Sequence, residues 1–94
     1  MKYNEYMYLK ENLVFLRKIS KLTQDELSID LNVKRYNVAD WEQGRSEPSL
    51  NMLILICRYF KVNIDVMLNQ KMELFSEDDF EYCKSIIRIQ TIFA

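Results

Sequence analysis

The chemistry this chain offers is concentrated between Lys34 and Asp40. Lys34, Arg35, Tyr36 and Asn37 are consecutive, and Asp40 follows one helical turn on. Cations neutralise phosphate. An arginine spans guanine O6 and N7 with two parallel hydrogen bonds, and an acid accepts from cytosine N4. The placement is unusual, because the pattern starts a helix here. A helix N-terminus carries partial positive charge, so two cations there cost a few tenths to about 1 kcal/mol each. No Ser, Thr, Asp or Asn stands at the cap position. A local rule broken without visible compensation marks a functional site, and DNA phosphate would supply the compensation. Taken alone, Lys34 and Arg35 read as solvated surface charge; the elements around them turn the reading towards DNA.

Those elements follow from periodicity and caps. Leu9, Leu13 and Leu16 recur at the helical period and predict a first helix from about Glu5 to Ile19. Thr23-Gln24-Asp25-Glu26 is a capping-box pattern that opens a second helix, with Leu27 and Leu31 inward. Asn32 suits a left-handed stop. A third helix is expected from about Lys34 to Gln43, with Val38 and Trp41 towards the core and Gly44 as its C-cap. Ser49 caps a fourth, LNMLILICRYF, with Leu53, Ile56, Cys57 and Phe60 inward, and Asn63 caps a short fifth, IDVML. Ser76-Glu77-Asp78-Asp79 repeats the start signal for a sixth; its last stretch, IIRIQTIFA, is β-branched and leaves a strand open.

Composition narrows the class. The chain has 94 residues, enough for one domain. One Gly and one Pro favour an all-helical fold with short connections over an all-β one. No apolar run approaches the ~20 residues that span a bilayer, and MKYNEYMYLK lacks a signal-peptide core. Cys57 and Cys83 have no metal-ligand spacing and no histidine to assist them, so both read as buried thiols of a reduced, cytoplasmic protein; no metal or cofactor is expected. Net charge is −1. Residues 1–69 carry ten Lys/Arg against nine Asp/Glu, and residues 70–94 three against five. The acidic excess lies in the C-terminal part, and a nucleic-acid reading rests on local placement.

A second helix of eight or nine residues, a turn of about three and a third helix of about ten make a helix-turn-helix over about 23–43. Its second helix would enter the major groove and meet base edges with its N-terminal residues. The run LTQDELSIDLNVKRYNVADWEQGRSEPSL resembles the phage-repressor, or XRE-type, family of helix-turn-helix proteins. The matches are Leu22-Thr23-Gln24, Leu27, Val33, Val38, Trp41-Glu42, Gly44 and Pro48-Ser49-Leu50, with Leu16-Arg17 before them. Together they cover about residues 9 to 68 in order and at the family's spacing.

The resemblance implies a compact five-helix domain, read here over residues 1–69; residues 70–94 lie outside the resemblance and are read as a C-terminal extension for packing or dimerisation. It implies base contacts from Arg35, Tyr36 and Asp40, with Lys34 and Asn37 at their flanks. It implies phosphate contacts from Gln24, Gln43 and Arg45, with Gln24 also buttressing the recognition helix, and a structural salt bridge between Arg17 and Glu42. Lys34 is read with the phosphate contacts and Asn37 with the base contacts. Trp41 is core. Asn32 replaces the family's turn glycine, Ser28 a small alanine, and Lys34 the Ser or Thr cap; Tyr36 replaces a smaller residue, and packing on a neighbouring helix is its other reading.

Val14, Phe15 and Leu55 put apolar groups where that family shows charge, Met52 and Tyr59 lie near Leu55, and Tyr3, Tyr6 and Tyr8 add to them. Such a surface asks for a cover. The C-terminal segment, with Phe80, Ile86, Ile87, Ile89, Ile92 and Phe93, can fold back, or it can pair with a second chain. A homodimer would read two half-sites of a pseudo-palindromic double-stranded operator. The function expected is a sequence-specific transcriptional regulator, a repressor. The alternative is a protein-interaction module, an antitoxin or adaptor, that uses the apolar surface. No histidine, phosphate loop or nucleophile elbow supports an enzyme.

Overall fold

The computed structural model describes residues 8–74. These form α1 (Leu9–Ile19), α2 (Gln24–Leu31), α3 (Arg35–Gln43), α4 (Leu50–Phe60) and α5 (Ile64–Asn69), then one 3-10 turn (Met72–Leu74). No strand occurs among the described residues. The sixth helix, the strand alternative and the fold-back or pairing of the C-terminal segment lie outside them, as do Tyr3, Tyr6 and Cys83.

Local chemistry sets most helix ends. The Thr23 hydroxyl accepts from the Glu26 amide at 3.0 Å and the Glu26 carboxylate accepts from the Thr23 amide at 2.9 Å, so the capping box forms as read. Ser49 Oγ accepts from the Met52 amide, and Asn63 Oδ1 from the amides of Asp65 and Val66. Asn32 closes α2 in left-handed backbone, φ 57°. Gly44 closes α3 at φ +76°, where a side chain is strained, and a Cβ there would stand 3.2 Å from Lys10 Cδ.

One helix start departs from the reading and one holds. α1 begins at Leu9, not near Glu5. The Tyr8 amide is drawn away from any earlier turn, because it donates to the Leu68 carbonyl of α5 at 3.2 Å. α3 begins at Arg35, and Lys34 is its N-cap, extended at φ −78°, ψ 147°, with no side-chain cap hydrogen bond.

The core takes one stripe from each helix: Leu9, Leu13 and Leu16; Leu27 and Leu31; Val38 and Trp41; Leu53, Ile56 and Cys57; Met67. Val62 and Met72 complete it. Each such side chain contributes about 1.5–3 kcal/mol by leaving water. Phe15, Met52 and Phe60 pack against this core, so part of the apolar surface noted above is covered within the domain. Tyr59 gives its hydroxyl to Asp30 at 2.5 Å, tying α4 to α2 and pushing the phenol up to about 12. Leu50 and Leu55, at 68% and 44% exposure, stay open.

One buried polar residue organises the far side. Asn12 Nδ2 donates to the carbonyls of Met67 and Gln70, both at 2.7 Å, and its Oδ1 accepts from the Met72 amide at 2.9 Å. The chain after α5 is thereby folded back on α1, and Met72 is fully buried.

Two outcomes follow. Asn12→Ala strands backbone groups in the core, at ~1–3 kcal/mol for each one left unsatisfied. A loss of about 3 kcal/mol is expected, read in urea denaturation as a lower midpoint at unchanged slope. Burial pushes the Cys57 thiol up to about 11, so little of it is thiolate near neutrality. Iodoacetamide should therefore spare Cys57 in the folded protein and modify it in denaturant, as peptide mapping would show.

Candidate nucleic-acid interface

α2, with eight residues, and α3, with nine, are joined by a turn that holds Asn32, Val33 and Lys34. Ser28 of α2 is 2% exposed, its hydroxyl donating to the Asp25 carbonyl at 2.6 Å and its carbonyl accepting from the Val33 amide of the turn at 2.9 Å. A small side chain there lets the helices approach, and the hydroxyl is satisfied within its own helix. Val38 and Trp41 sink into the core and fix which face of α3 points out.

A polar pillar holds the other flank of α3. Arg17 Nε donates to Glu42 Oε2 at 2.6 Å, and Arg17 Nη2 to Oε1 at 3.0 Å. Arg17 Nη1 donates to the Leu22 carbonyl at 2.8 Å, which also fixes the chain between α1 and α2. Gln24 Nε2 adds a third donor to Glu42, at 3.0 Å. The Arg17 and Glu42 side chains are 13% and 5% exposed. One carboxylate thus joins α1, the start of α2 and α3. The Arg17–Glu42 pair is where the resemblance placed it. The resemblance implied that Gln24 buttresses the recognition helix, and Glu42 is the α3 group through which it does so.

The outward face of α3 is different. Lys34 and Arg35 are exposed, and neither pairs with an acid among the described residues. Tyr36 is 63% exposed, and none of the described helices buries it. Asn37 and Asp40 are half-buried beside it, and Gln43 is exposed. An open groove of about 510 Å³, lined by Arg17, Thr23, Gln24, Asp25 and Arg35, runs between the starts of α2 and α3. Arg45 returns over the last turn of α3; its Nε donates to Asp40 Oδ1 at 2.9 Å, and its Nη2 lies 2.8 Å from the same oxygen. Sequence reasoning missed that pair. The signal was the left-handed Gly44, which reverses the chain and brings the next side chain back over the helix.

The charges of α3 run against its dipole. Cations stand at the positive end, and the acids Asp40 and Glu42 lie towards the negative end. Arg17 neutralises Glu42 and Arg45 neutralises Asp40. The two N-terminal cations have no such partner among the described residues. Among those residues no group of three metal-ligating side chains converges, and no helix is long and apolar enough to cross a membrane.

The helix-turn-helix domain family matches residues 11–73, two-thirds of the chain. This chain belongs to that family. The XRE-type resemblance and the all-helical fold both stand. The helix-turn-helix is similar to the HTH-type transcriptional activator BcrR of Enterococcus faecalis, 36% identical over 63 residues, or 67% of this chain and 31% of that protein. It is similar also to an uncharacterised HTH-type transcriptional regulator of Methanocaldococcus jannaschii, 33% identical over 57 residues, or 61% of this chain and 86% of that one. The match to the enterococcal protein thus spans about a third of its length. No solved structure gives a significant match.

The pillar of this helix-turn-helix has a graded prediction. Glu42→Ala leaves Arg17 largely buried and unpaired, so about 3 kcal/mol should be lost. Gln24→Ala removes one hydrogen bond to the same acid and should cost about 1–2 kcal/mol. Thermal melts of the two variants check the order; equal losses would mean that Glu42 does not anchor α3.

Proposed function

We propose that this chain is a sequence-specific, double-stranded-DNA-binding transcriptional regulator that lays α3 in the major groove. The observation that carries the reading is the cation pair at the start of α3, unpaired among the described residues, on an exposed polar face that a buried pillar holds in place. Arg35, Tyr36, Asn37 and Asp40 are assigned to base edges. Gln24, Lys34, Gln43 and Arg45 are assigned to phosphates. Gln24 Nε2 still has a second hydrogen to give while it donates to Glu42. Both similar proteins are named as transcriptional regulators, which supports the same role here.

The action proposed is repression, by a bound domain that occludes a promoter, in the cytoplasm. The enterococcal relative is named an activator, over a length of which this chain matches 31%, so the sign of regulation is part of the test. We assign a homodimer on a pseudo-palindromic operator, since one recognition helix reads too few base pairs for strong specificity. The exposed Leu50, Ile54 and Leu55 of α4 support a protein contact and are also what favours the second reading, a protein-interaction module.

Selection from random duplex DNA, then titration at several salt concentrations, tests this. A preferred sequence is expected, with affinity falling as salt rises. Arg35→Ala should cost about 1–3 kcal/mol and relax the preference at one position. Lys34→Ala should weaken all sequences alike and reduce the salt slope by about 1. A promoter reporter then shows repression or activation. Selection that returns no preferred sequence would sink the DNA reading and leave the protein-interaction one.

A further inference from the structure

The Asp40–Arg45 pair is absorbed neither by the core nor by the list of DNA contacts. Both of its members are assigned to DNA, yet they hold each other. We propose that it is an exchangeable pair: Asp40 keeps the Arg45 guanidinium off DNA phosphate until a base amine takes the Asp40 carboxylate. Phosphate contact is thereby coupled to base recognition. The proposal rests on the DNA reading above.

Three observations carry it. First, the geometry suits exchange. Arg45 Nε and Nη2 both reach the same oxygen, Asp40 Oδ1, and no contact among the described residues uses Oδ2. The second oxygen is open to a new donor. Second, the pair is weak by placement. Its side chains are 59% and 31% exposed, against 13% and 5% for Arg17–Glu42. Exposed pairs are marginal and exchange partners readily, whereas the pillar stays closed. Third, Asp40 lies three residues after Asn37 and four after Tyr36, on the face assigned to bases.

The consequence differs between right and wrong DNA. On an arbitrary duplex, phosphate must displace Asp40 from Arg45 and leave a bare carboxylate facing a polyanion. On a duplex that places a cytosine N4 amine at Asp40, the carboxylate gains a donor as it releases the arginine. Non-specific binding is braked and specific binding is not.

The test uses the full chain, a random-sequence duplex and the duplex won by selection. Wild type, Asp40→Ala, Arg45→Gln and the double variant are titrated across salt, with melting curves to show that each is folded. Asp40→Ala should bind the random duplex up to about fivefold tighter, the most an exposed pair can withhold. Its salt slope should steepen by about one phosphate contact. In the Arg45→Gln background that gain should fall below half. On the selected duplex, Asp40→Ala should lose the preference at one C·G pair. An equal gain in both backgrounds would make Asp40 an ordinary repelling acid and overturn the exchange, as would no gain at all. Wild type that binds no duplex would overturn the DNA reading itself, and the exchange with it. Should Arg45→Gln melt early, Arg45→Met, which keeps the apolar stem and loses the charge, replaces it under the same criteria.

Discussion

One carboxylate positions the exposed face. Glu42 takes two hydrogen bonds from Arg17 and one from Gln24, almost out of solvent. α3 is short, at nine residues, and its first turn is destabilised by its own charges. Tertiary contacts must hold it. Val38 and Trp41 supply apolar burial, which is non-directional. The pillar supplies direction, because a charged fork-to-carboxylate contact tolerates little rotation. Arg17 and Gln24 come from α1 and α2, so the angle of α3 is set from outside the helix that carries Arg35.

What was legible in the sequence was local. Thr23 with Glu26, Ser49 and Asn63 each satisfy amides within three residues, so the starts of α2, α4 and α5 could be read from short windows. Val38 and Trp41 were legible as core by period. The Arg17–Glu42 pair came through resemblance, since nothing in a 25-residue separation reveals a partner. The features that escaped are non-local or depend on chain reversal. Asn12 carried no sequence signal, because the backbone groups of Met67 and Met72 that it bonds lie 55 and 60 residues away. The start of α1 was misplaced because the Tyr8 amide is claimed by Leu68. Lys21 and Lys61 adopt left-handed backbone, at φ 60° and 57°, where lysine gives no hint of it.

The candidate site was legible in kind more than in arrangement. Cations at a helix start are visible as a broken rule. That Asp40 and Arg45 hold each other, or that Gln24 leans on Glu42, needs the three-dimensional return of the chain past Gly44 and the packing of α2 across α3. Charge balance illustrates the same limit. The total of −1 says little, whereas pairing leaves the N-terminal end of α3 positive and its C-terminal end neutralised.

The division of α3 into an anchored side and an open side also bears on how such a protein changes over generations. Val38, Trp41 and Glu42 carry the attachment, and the exposed Lys34, Arg35 and Tyr36 carry almost none of it. Substitutions at the outer positions therefore leave the scaffold's stability nearly untouched. A duplicated gene could drift through those codons without passing through an unfolded intermediate. The inner positions have no such freedom, so the architecture persists while what it recognises is free to diverge.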